Sequence, residues 1–205
     1  METRTERRRK TSSRIRTRAR KSPARTASKK GAKPKDPQAE MMAVWQKAMT
    51  PGKGHDRLEP LVGKFDVDVK IWMQPGAPPS EGGGTSTHKW ILGGRYLQQT
   101  YRGKSMGMPF QGVGYTGFDN ALQKYVGSWM DTMGTGIMTS VGSGKPTAKK
   151  IEFESKMVDP MSGNECTMRS IIRIKDKNRN SFEMWAKGPD GKDFRTMIIE
   201  YARRK

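Results

Sequence analysis

The side chains able to do chemistry in this chain are few and scattered. Its two histidines, His55 and His88, lie in different segments, and Cys166 is the sole cysteine. One thiol allows neither an internal disulfide nor a Cys-based zinc knuckle, and the histidines do not have metal-ligand spacing. Asp66 and Asp68 sit two residues apart between Lys64 and Lys70. Paired carboxylates can exchange protons, but in an alternating segment opposite Phe65, Val67 and Val69 they read as a solvated strand face. Asp131 stands among Trp129, Met130 and Met133. A carboxylate buried there needs a partner, and Arg95, Arg169 and Arg173 are the candidates. Gly112-Val113-Gly114-Tyr115-Thr116-Gly117 fits the G-x-G-x-x-G pattern that seats a pyrophosphate on a helix N-terminus. Here Phe118-Asp119-Asn120 turns into another strand, so the motif reads as a glycine-rich strand. Gly144-Lys145 imitates the end of a P-loop until Pro146 replaces the residue that would hold magnesium. The residue order thus shows no nucleophile–base or metal constellation. No metal and no cofactor are expected, and an enzyme is the least supported class.

The elements that would position these residues are mostly strands. From Gly63 the pattern has period two: Phe65, Val67, Val69, Ile71 and Met73 alternate with Lys64, Asp66, Asp68, Lys70 and Trp72, as a half-buried strand requires. Trp90-Ile91-Leu92 and Tyr96-Leu97 flank Gly93-Gly94, the signature of a two-residue hairpin. Further short strands are expected over 110–118, 125–131, 136–141, 151–157, 168–174, 182–186 and 194–201, separated by Gly, Asn, Asp and Pro. Nine or ten strands with no crossover helix predict an all-β, antiparallel, up-and-down barrel, since closure hides the edges of so long a meander. Ahead of it, Asp36 is placed to cap a short helix at about 37–50 with Pro37 in its first turn. Met41, Met42, Trp45 and Met49 fall on one face of that helix, and Thr50-Pro51-Gly52 ends it. A second helical turn is expected over 56–61.

Residues 1–36 are a different material. They contain 15 Lys or Arg against Glu2, Glu6 and Asp36, a net charge of +12, and Ile15 is their only large branched aliphatic residue. The other 169 residues carry 25 basic and 17 acidic side chains, a net of +8. So apolar-poor a segment cannot offset the entropy of ordering itself, and it reads as a disordered basic arm joined to one domain over 37–205. No apolar run is long enough to span a membrane. The arm lacks the apolar stretch of a secretory signal, and a cytoplasmic location is expected. Its Arg, Ser and Thr content also fits an organellar transit peptide, against which Glu2 and Glu6 count.

Residues 55–205 resemble a mostly bacterial family of domains of unknown function, number 1579. The resemblance is carried by His55-Asp56-Arg57-Leu58, Leu61-Val62-Gly63-Lys64-Phe65-Asp66-Val67, Pro75-Gly76-Ala77-Pro78-Pro79 and Ile91-Leu92-Gly93-Gly94-Arg95. It continues through Gly107-Met108-Pro109-Phe110, residues 114–120, residues 129–136 and Tyr201-Ala202-Arg203-Arg204-Lys205. The family is similar to calycin-type barrels, a group with lipocalins and haem-binding nitrobindins. In that group the first strand opens with Gly-x-Trp, and a basic residue of the last strand packs over the ring. Gly63-Lys64-Phe65 departs by carrying Phe, and Arg203 is the implied basic partner. Nitrobindin-like relatives ligate haem through a histidine, but the residues around His88 lack their signature. Family membership implies a fold and no established activity.

Two functions from different classes remain. The first is a binding barrel for a small apolar ligand, its cavity drawn from Phe65, Val67, Trp90, Leu92, Met130, Asp131, Met133 and Met184. Methionine, at 15 residues, suits an adaptable apolar lining and equally suits core filler. The second is a nucleic-acid-associated protein whose arm, through Arg7, Arg8, Arg9, Lys10, Arg14, Arg16, Arg18, Arg20 and Lys21, binds phosphates without reading sequence. The arm has no aromatic residue for base stacking.

Overall fold

The alternation of apolar and charged residues that starts at Gly63 becomes a strand, β1 (Gly63–Ile71), in which Phe65, Val67 and Val69 are buried and the residues between them exposed. The structure is a computed structural model and describes residues 36–145, 148–158 and 163–205. Residues 1–35, and with them every arm residue named above except Asp36, lie outside the described residues.

Nine further strands follow: β2 (Ser80–Ile91), β3 (Tyr96–Ser105), β4 (Met108–Asp119), β5 (Lys124–Asp131), β6 (Met138–Ser143), β7 (Lys150–Val158), β8 (Glu165–Ile174), β9 (Arg179–Lys187) and β10 (Asp193–Arg203). Each pairs antiparallel with the next, and β10 returns to pair with β1, so the sheet closes into a ten-stranded barrel without open edges. Cross-strand partners share a face. The register therefore carries one inward row from Phe65 through Ser86, Tyr101 and Gly112 to Asp131. The alternate residues Asp66 and Asp68 face out, and Asp66 pairs with Arg204 at 3.0 Å.

The Gly93-Gly94 turn is wider than the two-residue hairpin expected. Ile91 pairs with Tyr96, leaving a four-residue loop in which Leu92, Gly93 and Gly94 all have positive φ. The Arg95 side chain secures it by donating to the Leu92 carbonyl at 3.0 Å.

The helix α1 (Pro37–Met49) begins as expected, the Asp36 carboxylate accepting the Gln38 N–H at 3.0 Å with Pro37 in the first turn. A short turn of helix, α2 (Lys53–Asp56), and a 3₁₀ turn over Glu59–Leu61 follow. No helix among the described residues is long and apolar enough to cross a membrane. The segment after α1 closes one end of the barrel, with Leu58 and Leu61 buried against Leu97, Tyr125, Ile151, Phe153 and Ile174. At this closed end lie the β2–β3, β4–β5, β6–β7 and β8–β9 turns; the opposite end is formed by the other strand connections.

Candidate functional site

Burial changes along the lumen. Near the closed end the inward residues Phe65, Tyr125 and Ile151 are fully buried. Toward the opposite end Val69 and Tyr101 stay buried, but several inward residues are only half-buried: Trp129, Asp131 and Met138 on β5 and β6, Met157 and Cys166 on β7 and β8, Met168, Met184 and Met197 on β8 to β10. Met157 faces Cys166 across one strand pair and Met184 faces Met197 across another. Together they give the open half of the inner wall a sulfur-rich, partly exposed lining, the cup. Trp129 and Met197 of this lining pack, with Ile71, Phe110, Phe182 and Ile199, against the buried cluster of Phe65, Val67, Val69, Tyr101 and Tyr201. Two shallow depressions lie elsewhere, one on the outer wall at Thr85, Thr87, Lys89, Thr100 and Arg102, the other beside Asp56, Glu59, Lys177, Asn178 and Arg203. Pro60 and Val62 also line the second, and neither depression opens into the lumen.

The cup has two polar features. The Asp131 carboxylate accepts the Trp129 indole N–H at 2.7 Å and the Met133 backbone N–H at 2.8 Å. Its partners are therefore neighbours on its own strand and loop. None of the three arginines expected for it is used: Arg95 lies in the closed-end turn, while Arg169 and Arg173 face outward on β8, where they meet Asp193 and Glu183. The Trp129 ring lies over Gly112 and Gly114, and a side chain at either glycine would occupy the ring's space. That is the role of the glycine-rich motif, which forms β4 and is followed by a turn and a strand. The second feature is the Tyr101 hydroxyl, buried, without a hydrogen-bond partner, and lying over the backbone of Gly103 toward the open end. Burial raises its pKa.

A separate polar group lies deeper. His88 Nε2 and Ser86 Oγ share a hydrogen bond of 2.8 Å, and Gln99 donates to Ser86 Oγ at 3.2 Å and to the Tyr201 hydroxyl at 3.1 Å. The His88 ring packs against Phe65 and Tyr201. Burial lowers its pKa from 6.5 to about 4, the Leu61 backbone opposing and the Arg203 charge assisting. A serine–histidine pair is the beginning of a nucleophile, but Ser86 and His88 are 1 % and 6 % exposed. No carboxylate orients the ring either: no side chain bonds to His88 Nδ1, and the only group acting on that side is the Leu61 backbone. The pair acts as part of a buried core network. His55 is likewise structural: its Nδ1 accepts the Gly52 N–H at 3.1 Å, and its ring meets Phe118 edge-on. Among the described residues no group of three or more His, Cys, Asp or Glu is placed to hold a metal ion.

The eight residues singled out from the sequence are thus dispersed. Phe65 and Val67 face the lumen. Trp90 faces it near the closed end and donates its indole N–H to Glu59 at 2.6 Å. Asp131 and Met184 belong to the cup. Leu92 lies in the closed-end turn and Met133 in the β5–β6 loop, both exposed. Met130 pairs with Val113 on the outward face. Tyr101 is not among the eight: of the inward residues of β3 only Leu97 and Tyr101 are apolar, and Gln99 and Gly103 break the alternation that would have marked it.

Phe65 closes the lumen beneath Arg203, whose guanidinium carbon stands 4.8 Å from the ring centre. The same guanidinium donates to the Val62, Pro60 and Lys177 carbonyls at 2.6, 2.9 and 2.7 Å. An aromatic residue of the first strand under an arginine of the last thus plugs one end of the closed, ten-stranded antiparallel barrel. The family model "Protein of unknown function (DUF1579)" matches residues 50–203, and the chain belongs to that family. No curated protein matches it. Among solved structures, Rv2717c from M. tuberculosis is similar in fold, at 16 % identity and a TM-score of 0.56, covering 76 % of this chain and 100 % of its own. A redesigned β-barrel is also similar, at 12 % identity and a TM-score of 0.39, covering 75 % of this chain and 96 % of its own.

Proposed function

We propose that the barrel binds a small apolar ligand in the open half of its lumen. The observation that carries this reading is the cup itself: inward methionines and aromatic residues that solvent still reaches, in a barrel whose other end is plugged by Leu58, Leu61 and Phe65. Leaving apolar surface wet costs about 25 cal/mol per Å², and a ligand filling the cup recovers that energy. Methionine suits such a lining because its flexible, polarisable side chain adapts to the occupant. The Tyr101 hydroxyl, buried without a partner, supplies a hydrogen bond to a polar group on the ligand, in keeping with apolar sites that carry a few oriented polar groups.

The test is titration with a dye that fluoresces only in apolar surroundings, followed by displacement with long-chain fatty acids and other apolar molecules. Wild type should bind the dye saturably. Met184→Lys places a charge in the cup and should abolish binding while circular dichroism stays native. Tyr101→Phe should weaken ligands that carry a polar head group by about tenfold, the loss of roughly one hydrogen bond, and leave pure hydrocarbons unaffected. Dye binding that is unaltered by Met184→Lys would remove the cup as the site.

A further inference from the structure

We propose that the closed end of the barrel, through α1, is a docking face for an anionic lipid bilayer. Helix exposure, surface charge and the adjoining sequence each support it.

None of the residues of α1 is buried, and Met41 and Trp45 are 54 % and 59 % exposed. At 100° per residue, Val44, Ala48, Met41, Trp45, Met49 and Met42 fall on a single arc with Pro37 and Gln38 among them, and Gln46, Ala39, Ala43, Lys47 and Glu40 make up the rest of the surface. The helix is nevertheless anchored: Asn120 of the β4–β5 turn donates to the Lys47, Ala48 and Thr50 carbonyls at 3.3, 3.1 and 2.7 Å. An amphipathic helix fixed at its C-terminus with its apolar arc facing solvent lacks its partner. Thirteen residues are too few to cross a bilayer but suffice to lie in its interface, where tryptophan is favoured.

The charge around the helix points the same way. Lys53, Lys124, Lys145, Lys149 and Lys177 are exposed at this end and make no ion pair among the described residues. The acids there without a cation are fewer: Asp176 pairs with Arg179, and Asp56, Glu59 and Asp119 make no ion pair among the described residues. At the open end the pattern reverses. Lys70, Lys156, Lys187 and Lys192 are each paired to a carboxylate there, and Lys104 is the exception. Free lysines are thus concentrated on the end that carries the apolar helix.

The sequence that joins α1 adds to this. Residues 1–35 hold 15 Lys or Arg against Glu2 and Glu6 and lead directly into Asp36. Basic clusters beside an amphipathic helix are attracted to anionic headgroups, while the apolar arc supplies insertion. Nucleic acid would account for the cations but leaves Met41, Trp45 and Met49 in water, so the bilayer explains both features. In this arrangement the cup opens away from the membrane.

The experiment is co-sedimentation of the full chain with phosphatidylcholine vesicles, with and without phosphatidylserine. Binding should require phosphatidylserine, fall steeply with added salt, and drop by at least about tenfold in a Met41→Glu, Trp45→Glu double variant. Because α1 buries nothing, the variant should keep its thermal midpoint, and Trp45→Phe should retain most of the binding. Equal binding by wild type and the Glu variant would overturn the proposal, since the cations alone would then suffice. So would absence of vesicle binding, whether the protein then binds duplex DNA or self-associates through α1.

Discussion

Arg203, Phe65 and Gly63 form a unit in which each residue needs the other two. Gly63 adopts φ 138°, and a side chain there would meet the Arg203 guanidinium. Gly63→Ala should therefore cost about 1–3 kcal/mol from backbone strain alone, read as a lower denaturant midpoint. Phe65→Ala empties the space below the guanidinium and should cost about 3–5 kcal/mol, while Phe65→Trp should be tolerated. A loss under about 1 kcal/mol for Phe65→Ala would take this ring out of the core. His88 makes the fold sensitive to pH. Its folded pKa, about 4, lies below its ordinary 6.5, so between those values the unfolded chain binds the proton and the folded chain does not. Stability is complete above pH 6.5 and falls as pH drops toward 4, by on the order of 3 kcal/mol. His55, also lowered by burial, adds in the same direction. The His88 ring should titrate by NMR with a midpoint near 4; a midpoint near 6.5 would contradict its burial.

At the scale of elements, helix and strands follow different logic. The strands are stabilised by the barrel, whereas α1 is held by its Asp36 cap and by Asn120. Removing residues 1–36 should leave the thermal midpoint of the barrel within a degree or two, because so apolar-poor a segment has little to bury; a large drop would show that it contributes to the fold. The strands are legible in the sequence because period-two alternation in Gly63–Ile71 and its counterparts is enforced by burial on one face. The helix and its cap are legible because Asp36-Pro37 carries its own start signal. What α1's apolar face lacks is not legible, since spacing shows that a face exists and says nothing of what covers it. The cavity is only partly legible. Period two tells that Met130 and Asp131 face opposite ways, but choosing which of them looks inward requires the register that links Asp131 to Gly112, Tyr101 and Phe65. The arginines expected beside Asp131 fail for the same reason: residue order cannot show that an indole two residues away reaches it.

At the scale of the whole barrel, the two ends are unlike. One is closed by Leu58 and Leu61 and sealed by Phe65 under Arg203. The other leaves methionines and aromatic residues within reach of solvent. A core built for stability alone would be packed equally at both ends, because an unfilled apolar space forfeits contacts without return. The asymmetry is the reason for reading the open half as a binding site. Native mass spectrometry of the full-length protein, purified without detergent or organic solvent, tests this most directly. A one-to-one adduct with an apolar molecule is expected, released by organic extraction and missing from Met184→Lys. A protein that carries no such molecule and takes up none when offered a mixture of apolar compounds would contradict it.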